Sequence, residues 1–227
     1  MAKATHREQR KNIYDAIVIG ARCAGSPTAM LLARRGYNVL LVDRARFPSD
    51  TISTHIIWPY GVAKLQKWGV LDKIIDSNCP KVNRFTIDLG DFPLSGWGPP
   101  VDGISSSYSP RRIILDKILV DAAAESGADV LQGFSVQEIL TDDKRVTGIR
   151  GKDSTGFVTE FNADIIIGAD GKNSRLASVT NASTYDYEPS RSCFYYTYWS
   201  GVEVDGYEDY WDDRSFALAV PTNDNLV

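Results

Sequence analysis

Ile13-Tyr14-Asp15-Ala16-Ile17-Val18-Ile19-Gly20-Ala21-Arg22-Cys23-Ala24-Gly25-Ser26-Pro27 opens a stretch that continues through residues 28–35 to Gly36-Tyr37-Asn38-Val39-Leu40-Leu41-Val42-Asp43. Its first seven residues form a short run rich in Ile and Val, the pattern of a strand buried on both faces of a parallel sheet. Gly20 and Gly25 bracket a tight turn. Proline is tolerated only in the first turn of a helix, so Pro27 fixes a helix start close by. Ala29, Met30, Leu31, Leu32 and Ala33 carry that helix, and Gly36 stops it. A second apolar run then ends in Asp43. The order is strand, glycine turn, helix, strand: a βαβ unit of an α/β fold.

This arrangement suits a dinucleotide. The free N–H groups and positive dipole end of a helix attract a pyrophosphate. A missing side chain at Gly20 allows a sharp turn, and one at Gly25 allows close packing of helix on strand. Asp43 lies 18 residues beyond Gly25, where a carboxylate can accept hydrogen bonds from ribose hydroxyls. The middle glycine of a G-x-G-x-x-G pattern is replaced by Arg22. Its side chain must either turn away from the phosphates or bring its guanidinium to them.

The 227 residues suffice for one large domain or two small ones, and the net charge of −4 gives no electrostatic reason to expect nucleic-acid binding. Cys23, Cys79 and Cys193 fit neither a metal nor a CxxC spacing, so no metal site is expected. An odd cysteine count with no signal sequence points to the reducing cytoplasm. Residues 1–12 are polar and charged and read as a disordered tail. No run reaches membrane-spanning length.

Further along, a polar loop containing Arg44, Arg46 and His55 precedes a helical pattern over 60–75 with a break at Gly69. His55 reads most simply as a polar loop residue. Phe85-Thr86-Ile87-Asp88-Leu89 alternates, Gly90-Asp91 turns and Phe92-Pro93-Leu94 returns, an antiparallel hairpin foreign to a βαβ succession. A helix opens after Pro110 and closes at Gly127. Strands over 128–134, 135–140, 146–152 and 157–161 form a small meander, with Thr141-Asp142-Asp143-Lys144 as one of its turns. Ala163-Asp164-Ile165-Ile166-Ile167-Gly168-Ala169-Asp170-Gly171 repeats the opening theme, with a helix beginning in Lys172-Asn173-Ser174-Arg175. The aromatic segment Phe194-Tyr195-Tyr196-Thr197-Tyr198-Trp199 reads as a strand, and 216–227 as one strand and turn of a hairpin whose second strand is missing.

Gly20-Ala21-Arg22-Cys23-Ala24-Gly25, Asp43-Arg44, Arg112 four residues before Asp116, and Gly168-Ala169-Asp170-Gly171-Lys172-Asn173-Ser174 follow the order found in FAD-dependent monooxygenases of the p-hydroxybenzoate hydroxylase type. The chain resembles that family, whose fold geranylgeranyl reductases and flavin-dependent halogenases share. The resemblance covers residues 13–227. It implies a Rossmann-like FAD-binding domain of the glutathione reductase type with a β-meander (13–79 and 105–184), plus part of an antiparallel-sheet substrate domain (80–104 and 185–227). The implied cofactor-binding residues are the six turn residues, with Gly20, Arg22 and Gly25 around the FAD pyrophosphate. Asp43 is implied at the adenosine ribose, Arg44 and Arg112 near the phosphates or ribityl chain, and Asp170 and Gly171 at the pyrophosphate region. No catalytic side chain is identified.

The activity implied is hydroxylation of a small organic substrate with NAD(P)H and O2. The alternatives are a flavin-dependent reductase of prenyl double bonds and a non-catalytic, truncated FAD-binding fragment. Ala177 stands where the family often has arginine. No second Gly-Asp motif follows Asp170-Gly171, so the chain reads as the N-terminal part of a larger protein. On that reading the chain alone binds FAD poorly and does not turn over.

Overall fold

A computed structural model describes residues 12–143 and 145–227. The expected tail, apart from Asn12, and Lys144 of the expected meander turn lie outside the described residues. The chain divides into two compact units, Met1–Ser49 with Leu119–Pro189, and Asp50–Ile118 with Ser190–Val227.

The first unit is built on one six-stranded sheet in the order β7-β2-β1-β10-β9-β8. Its strands are β1 (Ile13–Ile19), β2 (Val39–Asp43), β7 (Asp129–Gln132), β8 (Ser135–Asp142), β9 (Arg145–Lys152) and β10 (Val158–Gly168). β7, β2, β1 and β10 run parallel, with Ile19 opposite both Val42 and Gly168. β2 is buried along its whole length. That is why the sequence shows a continuous apolar run there rather than an alternation. α1 (Gly25–Ala33) buries Ala29 and Met30. Ile17, Ile19, Leu40 and Val42 pack in one cluster with Phe134, Ile139, Ile149 and Phe161. The antiparallel strands thus bury apolar side chains against one face of the parallel strands.

Two of the expected strands, 157–161 and 163–168, are one strand, β10. Val158, Thr159, Glu160, Phe161 and Asn162 pair antiparallel with β9, and the residues beyond pair parallel with β1. The meander is therefore continuous with the nucleotide-type sheet instead of a separate insertion. Gly148 permits the close crossing, because a Cβ there would overlap the Phe161 carbonyl oxygen.

The second unit contains α2 (Pro59–Lys67) and α3 (Leu71–Ile75), parted by Gly69 at φ +72°. Its sheet has the order β12-β11-β4-β5, from β4 (Phe85–Asp88), β5 (Pro93–Gly96), β11 (Tyr207–Asp212) and β12 (Ser215–Ala219). The two segments expected to share a sheet do share one. It is mixed, not antiparallel: β4 and β11 run parallel, since a long stretch of chain separates them and no tight turn fixes their sense. β3 (Lys81–Val82) pairs with β6 (Ser107–Tyr108). α4 (Arg112–Glu125) begins in this unit, and Gly127 follows its end at φ +99°.

Residues 50–79 and 105–118 lie in this second unit, whereas the sequence grouped them with the nucleotide domain. Hydrogen bonds hold them there: Thr222 Oγ1 donates to the Ser109 carbonyl at 2.6 Å and Asn223 Nδ2 to the Ser77 carbonyl at 2.8 Å. The other late expectations also change. The aromatic segment 194–199 is not a strand. β12 is itself the second strand of a hairpin with β11. Thr222 to Leu226 closes a turn, and Val227 and Trp199 exchange both backbone hydrogen bonds.

Candidate cofactor site and aromatic groove

In the first unit the candidate residues meet at the carboxyl ends of β2, β1 and β10. Gly20 N donates to the Val42 carbonyl at 2.8 Å, and Ala169 N donates to the Ile19 carbonyl at 2.8 Å. The helix after β1 leads to β2 on one side, while β10 lies on the other. The sheet order therefore reverses at this point, which is where open α/β sheets bind ligands.

The turn admits only glycine at two positions. Gly20 has φ +102°, and a Cβ on it would overlap the Ala169 carbonyl oxygen. A Cβ on Gly25 would overlap the Gly20 carbonyl oxygen and stand 3.2 Å from the Ala169 Cβ. Both glycines are thus fixed by backbone that approaches too closely for any side chain. Ser26 Oγ donates to the Ala21 carbonyl at 2.9 Å, which braces the helix start from within. Thr28 Oγ1 donates to the Ala24 carbonyl at 2.8 Å.

Asp43 is buried, and each of its carboxylate oxygens takes a backbone donor. Ala21 N donates to Oδ2 and Ala45 N to Oδ1, both at 2.7 Å. The carboxylate therefore ties the glycine turn to the turn after β2, a role the sequence did not suggest. Arg22 reaches Ser49, donating from Nη2 to Oγ at 3.1 Å, and its guanidinium stands 5.4 Å from the centre of the Phe47 ring. That contact supplies a direction for the side chain replacing the usual glycine. Arg44 and Cys23 are exposed.

Asp170 Oδ2 accepts from Arg175 N at 2.8 Å, while Oδ1 is buried with no partner among the described residues. Gly171 has φ +84°, so the turn itself calls for glycine. Ser174 caps α5 (Arg175–Val179) by accepting from Ala177 N. The glycine cradle, the carboxylate at the end of β2 and the unpartnered Asp170 oxygen fit a dinucleotide cofactor. Arg112 belongs to the second unit and forms a two-pronged ion pair with buried Asp116, at 2.9 and 3.0 Å.

The second unit holds a groove of about 720 Å³ whose lining includes His55, Phe194, Tyr196, Tyr198, Trp199 and Phe216. His55 Nε2 and Tyr198 Oη are 2.5 Å apart, and the rings stack with centroids 5.7 Å apart. Burial holds the imidazole below its usual range, with Arg112 and Arg111 acting the same way and Asp50 opposing. The Arg111 guanidinium lies 4.9 Å from the centre of the Tyr198 ring and is fixed by Asp50 and Asp224, each at 3.0 Å. His55 and Tyr198 stand 143 positions apart, and only the long polar loop around His55 hinted that it could matter.

A family model described as an FAD binding domain matches residues 13–224. The chain belongs to that FAD-binding family. Among curated proteins it is 31% identical over 196 residues to digeranylgeranylglycerophospholipid reductase 2 of Methanothermobacter thermautotrophicus, covering 85% of this chain and 48% of that protein. It is 34% identical over 169 residues to the menaquinone reductase of Mycolicibacterium smegmatis, covering 73% and 39%. The chain therefore spans less than half the length of these two relatives. Its fold matches the myxobacterial halogenase CndH with a TM-score of 0.80 at 23% identity, over 95% of this chain and 51% of that one. It also matches a geranylgeranyl bacteriochlorophyll reductase-like protein of Thermoplasma acidophilum, with a TM-score of 0.71 at 18% identity, over 95% and 55%. Among the described residues no helix is long and apolar enough to cross a membrane, and no acidic, His or Cys cluster could hold a metal ion.

Proposed function

We propose that this chain is the FAD-holding part of a flavin-dependent oxidoreductase that reduces an apolar organic substrate, with NAD(P)H as the source of electrons. The observation that carries the flavin assignment is the turn at the sheet's reversal point whose two ends, Gly20 and Gly25, admit no side chain. When bound, FAD supplies the redox chemistry, and the protein supplies position and exclusion of water. The pyrophosphate would lie at the turn formed by Gly20, Ala21, Arg22, Cys23, Ala24 and Gly25. Asp43 would take the ribose on its remaining lone pairs, since a carboxylate offers about four acceptor sites. The unpartnered Asp170 oxygen, beside Gly171, would accept a cofactor hydroxyl. Arg44 would add positive charge near the phosphates or ribityl chain.

The reductase reading is supported by two relatives above 30% identity, both named as reductases. Hydroxylation with O2 is the second reading, supported by the motif order ending in Gly168-Ala169-Asp170-Gly171. In both readings the second unit begins a substrate domain, and its aromatic groove takes the organic substrate. The exposed cysteines Cys23 and Cys193 support a cytoplasmic setting. The test is to supply the whole FAD-loaded oxidoreductase, of which this chain is the FAD-holding part, with NAD(P)H and a quinone or prenyl alkene, with and without oxygen. Substrate reduction under anaerobic conditions supports the reductase. Oxygen-dependent hydroxylation supports the second reading, and no turnover of either kind counts against both.

A further inference from the structure

We propose that Arg22, which stands where the dinucleotide pattern has its middle glycine, is a positioning residue for the cofactor. The turn meets the pyrophosphate through the Arg22 backbone alone. The guanidinium instead clamps the loop after β2 to the glycine turn, so that the adenosine end of the cofactor enters a preformed site. The inference deepens the FAD reading, and it rests on that reading for the identity of the ligand.

Arg22 is held at both ends. Its carbonyl accepts from Ser26 N at 3.0 Å, at the start of α1. Its side chain reaches the far end of the loop over residues 44–49. Nη2 donates to Ser49 Oγ at 3.1 Å and Nη1 to the Ser49 carbonyl at 3.4 Å. The guanidinium also stands over the ring of Phe47, a buried side chain. A planar group that stacks and donates from two nitrogens is particular to arginine, whereas lysine offers a point charge. Asp43 makes the matching tie at the near end of the loop, accepting from Ala21 N in the turn and from Ala45 N in the loop. Asp43 and Arg22 thus join the same two segments, one at each end of the loop.

The middle of the loop is fixed from the other side. Gly133 N donates to the Ala45 carbonyl at 3.0 Å, and Phe47 N donates to Gln132 Oε1 at 2.7 Å. Arg46 Nη2 donates to Ser154 Oγ at 2.7 Å, and its guanidinium lies against Gly133, where a Cβ would crowd it. These bonds hold residues 45–47 to the end of β7 and to a turn of the meander. None of them reaches the glycine turn. Ser49 is joined to that turn through Arg22.

A wall ordered before the ligand arrives spares the ligand the cost of ordering it. Glycine at position 22 would let the backbone come closer to the pyrophosphate, but it would leave the far end of the loop untied. In this chain the second effect outweighs the first.

The test compares Arg22→Gly and Arg22→Lys with the unaltered 227-residue chain, each checked for its fold by circular dichroism. FAD binding is followed by flavin fluorescence at several salt concentrations. The expected result is that Arg22→Gly, although it restores the glycine pattern, raises the FAD dissociation constant about tenfold, the cost of ordering one or two long side chains. Arg22→Lys keeps the charge but not the clamp and should fall within about twofold of the glycine variant. If the glycine variant does not fold, the lysine variant carries the comparison, with the same loss expected. The slope of affinity against salt should be the same in every chain, because no contact between charges is lost at the phosphates. Without flavin, trypsin should cut after Arg44 and Arg46 about threefold faster in either variant, since the loop opens more often. The role is overturned if Arg22→Gly binds FAD as tightly as the unaltered chain, if lysine restores the affinity, if the salt slope flattens in the glycine variant, or if trypsin cuts the loop at the unaltered rate. An unaltered chain that binds no FAD is a separate outcome, which removes the FAD reading and this role with it.

Discussion

Replacing Asp43 tests whether its carboxylate holds the glycine turn together before any cofactor arrives. Asp43→Ala removes the acceptor for two backbone N–H groups, Ala21 in a buried bond and Ala45 in a partly buried one, both at 2.7 Å. A hydrogen bond to a charged group contributes about 1.5–3 kcal/mol, and a buried donor left unpaired carries its full desolvation cost. With the partly buried bond at the low end of that range, the two together amount to about 3–5 kcal/mol. That is a large share of the roughly 5–15 kcal/mol by which a domain is stable. Asp43→Asn keeps one carbonyl oxygen and turns an NH2 toward the other donor, so about half the loss remains. Urea denaturation followed by far-UV circular dichroism, without nucleotide, measures both variants. The expected result is a lowered midpoint at unchanged slope, with alanine worse than asparagine. A loss below about 1 kcal/mol for Asp43→Ala would refute the reasoning and leave the carboxylate as a ligand-binding group alone.

Gly25→Ala forces a Cβ into the Gly20 carbonyl oxygen and should abolish FAD binding even where circular dichroism shows the chain folded; retained affinity would remove the cradle from the account. Burial pushes the Cys79 thiol up to about 11, while Cys23 and Cys193 are exposed. A thiol reagent at neutral pH should therefore label two cysteines quickly, and the third only as the chain opens. His55 is held below its ordinary value of 6.5, so the unfolded chain takes up this proton first as pH falls. Its contribution to stability is complete above 6.5, and it is lost through the window down to the lowered folded value. Urea midpoints measured across that window should fall less steeply in His55→Asn; equal slopes would contradict the assignment.

The parallel half of the first unit was legible because its signals are local. An Ile/Val run, two glycines, Pro27 and a terminal acid each act within a few residues, and the structure keeps every one of those elements. β10 was misread as two strands because nothing between Phe161 and Ala163 marks the change of partner. A strand that swaps an antiparallel neighbour for a parallel one need not break its own backbone. The 194–199 segment was misread because aromatics favour strands only where a neighbour pairs with them, and here that segment instead lines a groove. The bracing role of Asp43 was hidden for a related reason: its partners are backbone N–H groups, which carry no sequence signature. Sequence named the turn and the acid but could not show which N–H groups the acid would take.

Competition between FAD and ADP tests the central claim most directly. The account places the adenosine diphosphate half of the cofactor on the glycine turn and Asp43, so ADP should compete for that site. Titrate FAD into the chain by fluorescence, then repeat at increasing ADP and, separately, increasing FMN. The account predicts that ADP raises the apparent FAD dissociation constant in proportion to its concentration, as a competitor for one site does, and that FMN, lacking the adenosine, is far weaker. FAD binding that ADP leaves unchanged, or that FMN displaces as well as ADP, would contradict it.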